Sequence, residues 1–173
     1  KTHVTSTLHI CWAAQAGLYY HFGIPKYERS EKLSGVFVHE IIKKKVPLVR
    51  SMDDYVNCPH SRNTEVREDD ILKRSELEIL AKSDEAGVLL VLNEYGKGSQ
   101  VFVQGHPEYD RMTLSNEYHR DLAKGLNPAL PKNYFQDMDP FSRPVLTWRN
   151  FSNTLYGNWL NFYVYQNTPY VLD

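Results

Sequence analysis

The chain has 173 residues, 42% of them apolar and 24% charged, and its 20 Lys and Arg nearly balance 21 Asp and Glu to leave a formal net charge of -1. Such a chain fits one globular domain with a sizeable core. It excludes a disordered polypeptide and the strongly basic field that nucleic acids or anionic membrane surfaces select. Two cysteines without CxxC spacing, and no His pair at zinc spacing, imply neither a disulfide scaffold nor a metal site, and a reducing cytoplasm is the expected compartment.

In chain order, residues 5–11 read as a buried strand and residues 12–23 as a helix stopped by Gly23 and Pro25. The polar run from Tyr27 to Ser34 reads as a loop. Gly35 to Ile41 is strand-like, and Lys43-Lys44-Lys45 forms an exposed turn before Val46 to Val49. Ser51 to Asp70 is rich in Asp, Asn, Pro, Ser and Arg and reads as a long irregular stretch, a kind that often carries function. Leu77 to Ala81, Val88 to Leu92 and residues 100–104 read as strands, the last two joined by a turn at Gly96-Lys97-Gly98. Thr113 or Ser115 is expected to cap a helix that ends near Gly125. After a Pro-rich, aromatic passage, a final helix over about Thr147 to Tyr165 carries an aromatic stripe suited to core or subunit contact.

No run approaches the roughly 20 apolar residues of a membrane span, and no signal-peptide pattern is present. The chain opens on Lys1, just before an apolar strand, and reads as the later part of a longer protein. Alternating strands and helices predict an α/β sheet with helices on both faces, its ligand crevice at the carboxyl ends of the strands.

Cys11 closes the first strand and is followed at once by helix-forming residues. A thiol at such a joint faces free backbone N–H groups and the positive end of a helix dipole, which stabilise a thiolate and then an oxyanion. After the strand at 100–104 comes Gly105-His106-Pro107-Glu108, in which residues two apart project to one side, so His106 can serve as base and Glu108 as its orienter. Taken singly, each has a plainer reading: a small buried hydrophobe, a loop histidine and a solvated charge.

A wider set of runs gives these three a context. Thr2-His3-Val4-Thr5-Ser6-Thr7-Leu8 with Cys11-Trp12, Pro59-His60-Ser61-Arg62 with Thr64-Glu65-Val66, Gly105 to Asp110, Glu117-Tyr118 with Arg120-Asp121, and Asn158-Trp159-Leu160-Asn161 resemble, in order and from end to end, homoserine O-succinyltransferase and its acetyl-transferring relatives. The resemblance implies an α/β fold of the flavodoxin-like, class I glutamine amidotransferase-like kind, a three-layer sandwich with its nucleophilic Cys on a strand-to-helix elbow. Cys11 then takes the place of the acyl-thioester nucleophile, His106 of the base and Glu108 of its orienter. The N–H of Trp12 is expected to be one oxyanion donor. Lys32, Ser61 and Arg120 fall at the family's substrate-contacting positions. Ala13 stands where many members have Gly.

The implied reaction is transfer of an acetyl or succinyl group from acetyl-CoA or succinyl-CoA to the homoserine hydroxyl, in methionine biosynthesis, with no permanently bound cofactor and with a homodimer as the expected assembly. Residues 1–173 would form one catalytic domain lacking its N-terminal portion. Serine, one methylene shorter, stays open as acceptor, since a methylene discriminates by only ~1–3 kcal/mol. So do a glutamine amidotransferase-like hydrolase and a non-catalytic assembly fragment. Arg120 is suited to grip an α-carboxylate at two points, although Glu117 and Asp121 on the same helix offer it ordinary surface ion pairs. Lys32 and Ser61 have the plainer readings of an exposed lysine and a turn residue. Cys58 reads as structural, and His60 as either a site-lining or a core residue.

Overall fold

The computed structural model describes residues 3–94 and 98–169. Its strands are β1 (Ser6–Ile10), β2 (Tyr27–Ile41), β3 (Tyr55–Glu65), β4 (Glu78–Ser83), β5 (Gly87–Asn93) and β6 (Ser99–Val103), and its helices are α1 (Trp12–Phe22), α2 (Glu68–Leu72), α3 (Thr113–Ala123) and α4 (Arg149–Asn158), the last running into a π-helical turn at Trp159–Tyr165. The strands form one sheet in the order β1-β6-β5-β4-β2-β3. Only β1 and β6 run parallel; every other neighbouring pair is antiparallel.

Side-chain alternation along the strands sends apolar groups to both faces. On one face Leu89, Leu92, Val101 and Val103 pack against Phe151 and Leu155 of α4 and Tyr163 beyond it. On the other, Val88, Val91 and Phe102 meet Ala14 and Leu18 of α1 and Ile71 of α2. The result is the expected three-layer sandwich. A third cluster, Val36, Leu114, Tyr134, Phe135 and Trp148, seats α3 and the aromatic passage beside the sheet. Gly35 permits this: at φ 143° it lies in a region L side chains rarely adopt, and a Cβ there would run into the Lys132 backbone. Among the described residues no helix is long and apolar enough to cross a membrane.

Three expectations are corrected. Tyr27 to Ser34 is not a loop but the outer half of the 15-residue β2, hydrogen-bonded to β3 with a register shift between Glu28 and Leu33. Its polar residues are held by partners on β3 and at α2 rather than by a core: Arg29 pairs with Glu65, the Tyr27 hydroxyl donates to Asp70 at 2.8 Å, and Arg67 lies 3.8 Å over the Tyr27 ring. Within the supposedly irregular stretch from Ser51 to Asp70 lie β3 and α2. The inward residues of β3 do alternate, but they are Val56, Cys58, His60 and Arg62, a buried face too polar to register as a strand pattern. Neither Thr113 nor Ser115 caps α3, which starts after Met112 without a side-chain cap. Of the turn at Gly96-Lys97-Gly98, the first two residues lie outside the described residues.

Candidate active site

Parallel neighbours end at the same edge of a sheet, and this alone brings Cys11 and the loop that carries His106 together. Cys11 follows β1, and its N–H donates to the Val103 carbonyl at the end of β6 at 2.7 Å, three residues before His106. Cys11 has φ 50° and ψ -111°, a conformation that for a non-glycine residue costs of order 1–3 kcal/mol and is a mark of functional sites. The first intrahelical bond of α1 runs from the Gln15 N–H to the Cys11 carbonyl at 3.1 Å, so the N–H groups before it, Trp12 first, have no partner within the helix. The Trp12 side chain is exposed and plays no part in the core.

His106 is held from below. Its N–H donates to the Pro59 carbonyl at 2.7 Å, and Gly105 lies so close to β3 that a Cβ there would meet Cys58 Sγ at 2.5 Å and His60 Nε2 at 3.0 Å. The His106 Nδ1 is 2.6 Å from Glu108 Oε1, which leaves Nε2 for the sulfur. Burial disfavours the charged imidazole, but hydrogen bonds with Cys11 and Glu108 and the charges of both outweigh it and lift His106 to about 9. Cys11, His106 and Glu108 thus come together as a triad, with Glu108 partly exposed behind the imidazole.

Beside it lies a second, more polar cluster assembled from three elements. Lys32 comes from the outer half of β2, Ser61 from β3, and Glu117, Arg120 and Asp121 from α3. Glu117 is its centre: its Oε2 accepts from Ser61 Oγ at 2.5 Å and its Oε1 from the Tyr109 hydroxyl at 2.8 Å. Lys32 Nζ lies 3.8 Å from Glu117 and 3.5 Å from Asp121. Arg120 turns both Nε and Nη2 to Asp121 Oδ1, at 2.9 and 2.8 Å, with its side chain 55% exposed. Arg120, with Lys32 in support, holds the Asp121 carboxyl below its usual range. A cavity of about 180 Å³ opens next to Lys32, Glu117 and Asp121, walled by Leu33, Phe37 and Leu130; Arg120 is not in its wall.

Lys32 and Ser61 therefore share one carboxylate, and Arg120 stands at the rim. In the sequence Glu117 stands only as an ion-pair partner for Arg120, which does not mark it as a site residue. The available signal was the four-residue spacing of Glu117 and Asp121, which puts two carboxylates on one helix face.

Behind both clusters runs a buried polar chain. Arg62 Nε donates to His60 Nδ1 at 3.3 Å, so the His60 proton sits on Nε2 and is given to His39 Nε2 at 3.1 Å. Burial holds His39 down to about 4 and His60 well below its ordinary value; Arg62 disfavours charge on both rings, and His39 disfavours it on His60. Arg62 itself donates to the Thr64 and Ala86 carbonyls, both at 2.6 Å, and Thr64 exchanges hydrogen bonds with Gln15 of α1. His60 is thus a core residue. Cys58 is wholly buried and its thiol is pushed well up by desolvation, which marks it as structural. Among the described residues no group of three or more His, Cys, Asp or Glu is arranged to hold a metal ion.

The profile of the homoserine O-succinyltransferase family matches residues 1–170. The chain belongs to that family. It is 59% identical over 172 residues to a homoserine O-acetyltransferase of Lachnoclostridium phytofermentans, covering 99% of this chain and 56% of that one, and 57% identical over 170 residues to a homoserine O-acetyltransferase of Agathobacter rectalis, covering 98% and 54%. The chain thus spans about half the length of the curated relatives it matches. Among solved structures it is similar to a glutamine amidotransferase of Methylobacillus flagellatus (TM-score 0.61, 11% identity, 96% of this chain and 66% of that one) and to one of Thermotoga maritima (0.56, 16%, 87% and 57%). At such identities the likeness establishes the class I amidotransferase-like fold that the family resemblance implied, and nothing about substrate.

Proposed function

We propose that this chain carries the catalytic centre of a homoserine O-acyltransferase that works through an acyl-Cys11 thioester, with acetyl-CoA as the preferred donor. The observation that carries the reading is the strained Cys11 elbow tied to the end of β6, three residues before a histidine whose Nδ1 is taken by Glu108. Acetyl is favoured over succinyl by the names of the relatives at 55–59% identity.

In the first half-reaction the Cys11 sulfur attacks the thioester carbonyl, with the Trp12 N–H donating to the developing oxyanion. The new S–C bond forms as the C–S bond to CoA breaks, and the His106 proton goes to the departing CoA sulfur. Thiol replaces thiol, so the step is nearly balanced. The homoserine hydroxyl then gives its proton to His106 and attacks the acyl carbon; an O–C bond forms, the bond to Cys11 breaks, and O-acylhomoserine leaves. Glu108 keeps Nδ1 protonated so that Nε2 faces the reacting atoms. For the acceptor, Glu117 is the carboxylate suited to an α-ammonium and Arg120 the guanidinium suited to an α-carboxylate, with Lys32 and Ser61 orienting Glu117.

The test is CoA release by the whole protein, with acetyl-CoA and succinyl-CoA each crossed against homoserine and serine, together with intact mass for acyl-Cys11. Release that depends on homoserine, with an acetyl adduct in its absence, is the expected result. Acyl-CoA consumption that no amino-alcohol acceptor accelerates would overturn it in favour of hydrolase chemistry. The assembly and the cellular compartment, a homodimer in the cytoplasm, belong to the same proposal.

A further inference from the structure

Tyr109 belongs to neither cluster by chemistry, yet it touches both. Its ring lies parallel to the His106 imidazole, with centroids 4.2 Å apart and planes at 18°, and its hydroxyl donates to Glu117 Oε1 at 2.8 Å. The backbone is fixed as well: the Tyr109 N–H donates to the His106 carbonyl at 3.2 Å, and the Tyr109 carbonyl accepts from Trp148 Nε1 at 2.9 Å. One rigid side chain with two rotatable bonds therefore spans the distance from the base to the hub of the polar cluster.

We infer that Tyr109 is a positioning residue that couples the two half-sites, its ring holding His106 in place and favouring the imidazolium, its hydroxyl holding Glu117 in the orientation that receives the acceptor. This rests on the reading of Glu117 as acceptor-binding. A flat π-face against an imidazole favours its charged form in the way a cation is favoured over any aromatic ring. Burial and the Glu117 carboxylate both push the phenol upward, so the hydroxyl remains a donor across the working range and cannot compete as a base. Since Glu117 also accepts from Ser61, loss of the Tyr109 bond would free one carboxylate oxygen to rotate toward Lys32 and away from an incoming ammonium.

The two functions separate by substitution in the whole protein. Tyr109→Phe keeps the ring and removes the hydroxyl; Tyr109→Leu removes both. The first readout is the titration of the His106 imidazole, followed by NMR with labelled histidine and needing no substrate. The groups that face this imidazole are Cys11 at the start of α1, Glu108 on its own loop and His60 from β3, and all three are kept in both variants. The expected midpoint is unchanged in Tyr109→Phe and lower by about half to one pH unit in Tyr109→Leu. The second readout is the KM for homoserine, expected to rise about tenfold in Tyr109→Phe, the size of a lost hydrogen bond to a charged group, with a much smaller change in the rate of acyl-Cys11 formation.

An unmoved titration in Tyr109→Leu, or a homoserine KM in Tyr109→Phe that matches the parent, overturns the coupling. Equal losses in both half-reactions reduce Tyr109 to a packing residue and overturn it too. If Tyr109→Leu does not fold, the KM split in Tyr109→Phe still decides. A shifted titration in a protein whose CoA release ignores homoserine is a different result: it supports the ring's hold on His106 and defeats the acceptor reading of Glu117.

Discussion

The corner proposed for the nucleophile and the corner proposed for the acceptor are built in opposite ways. Cys11 and His106 are set by backbone: two parallel strands end together, one N–H crosses between them, and a glycine lets the His106 loop settle on β3. Lys32, Ser61, Glu117, Asp121 and Arg120 are set by side chains reaching from three elements toward one another, several through partly exposed ion pairs worth little individually. A corner fixed by the main chain tolerates no error in the reacting atoms. One made of charged side chains can reorganise around a ligand. Substitutions in the first should therefore act on the chemistry, and those in the second on recognition of the acceptor.

The largest effect tests the first half of that contrast. Cys11→Ala is expected to abolish acyl transfer and the acyl-enzyme mass together, whereas Cys11→Ser should leave a slow enzyme holding an oxygen ester that discharges poorly. Intact mass after mixing with acyl-CoA checks both, and a fully active Cys11→Ala protein would remove the covalent mechanism. Next in size is His106→Asn, expected to cost ~10² to 10⁴ in rate as the loss of a general base. Glu108→Gln should cost less, because it orients the imidazole without moving a proton. Steady-state rates with the reverse order would mean that the two roles are exchanged.

The same contrast decided what could be read from the sequence. The elbow was legible because an apolar strand, Cys11 and a helical run are contiguous, and because His106 and Glu108 are two residues apart on one loop. The two-sided packing of the sheet was legible in the apolar strands β4 to β6. The outer half of β2 and all of β3 were not, because their residues are paired across strands or buried as a polar ladder, so neither a period-2 apolar pattern nor turn residues announced them. With the outer half of β2 reading as a loop and β3 as irregular chain, nothing in the sequence shows that Lys32 and Ser61 reach α3, or that Glu117 is where they meet. Their identification rested on the resemblance alone.

Histidines on the two sides of the hairpin give a third test, of intermediate size. His39, held near 4, and His60, held lower than usual, are neutral when folded, whereas in the unfolded chain they protonate near 6.5. Their contribution is intact above pH 6.5 and is lost as the pH falls toward 4, and the displacement of His39 alone corresponds to about 3 kcal/mol. His106 has the opposite sign. Lifted to about 9, it stabilises the fold fully below pH 6.5 and loses that contribution as the pH rises through 9. Resistance to urea should therefore peak near pH 6.5 and fall on both sides. His106→Asn should flatten the alkaline limb and leave the acid limb in place; loss of both limbs would show that the buried pair does not govern the acid side.

The smallest effect belongs to Arg120, where the acceptor corner can be told from an ordinary helix surface. In the structure the guanidinium spends both Nε and Nη2 on a single oxygen of its neighbour Asp121 and stays more than half exposed, so gripping the acceptor requires it to turn from that partner. The exchange is feasible because an exposed pair of this kind is weak, and a bidentate bond to an α-carboxylate beside the cavity would be stronger. Lysine at this position keeps the charge and loses the two-point geometry. Arg120→Lys should then form acyl-Cys11 at close to the parent rate but discharge it to homoserine about tenfold more slowly, the size of one charge-assisted hydrogen bond. Acyl-enzyme accumulating in intact mass under turnover is the signature. Normal discharge would assign Arg120 to Asp121 alone, and the acceptor's carboxylate would then have to be met by Lys32, the cluster's other cation.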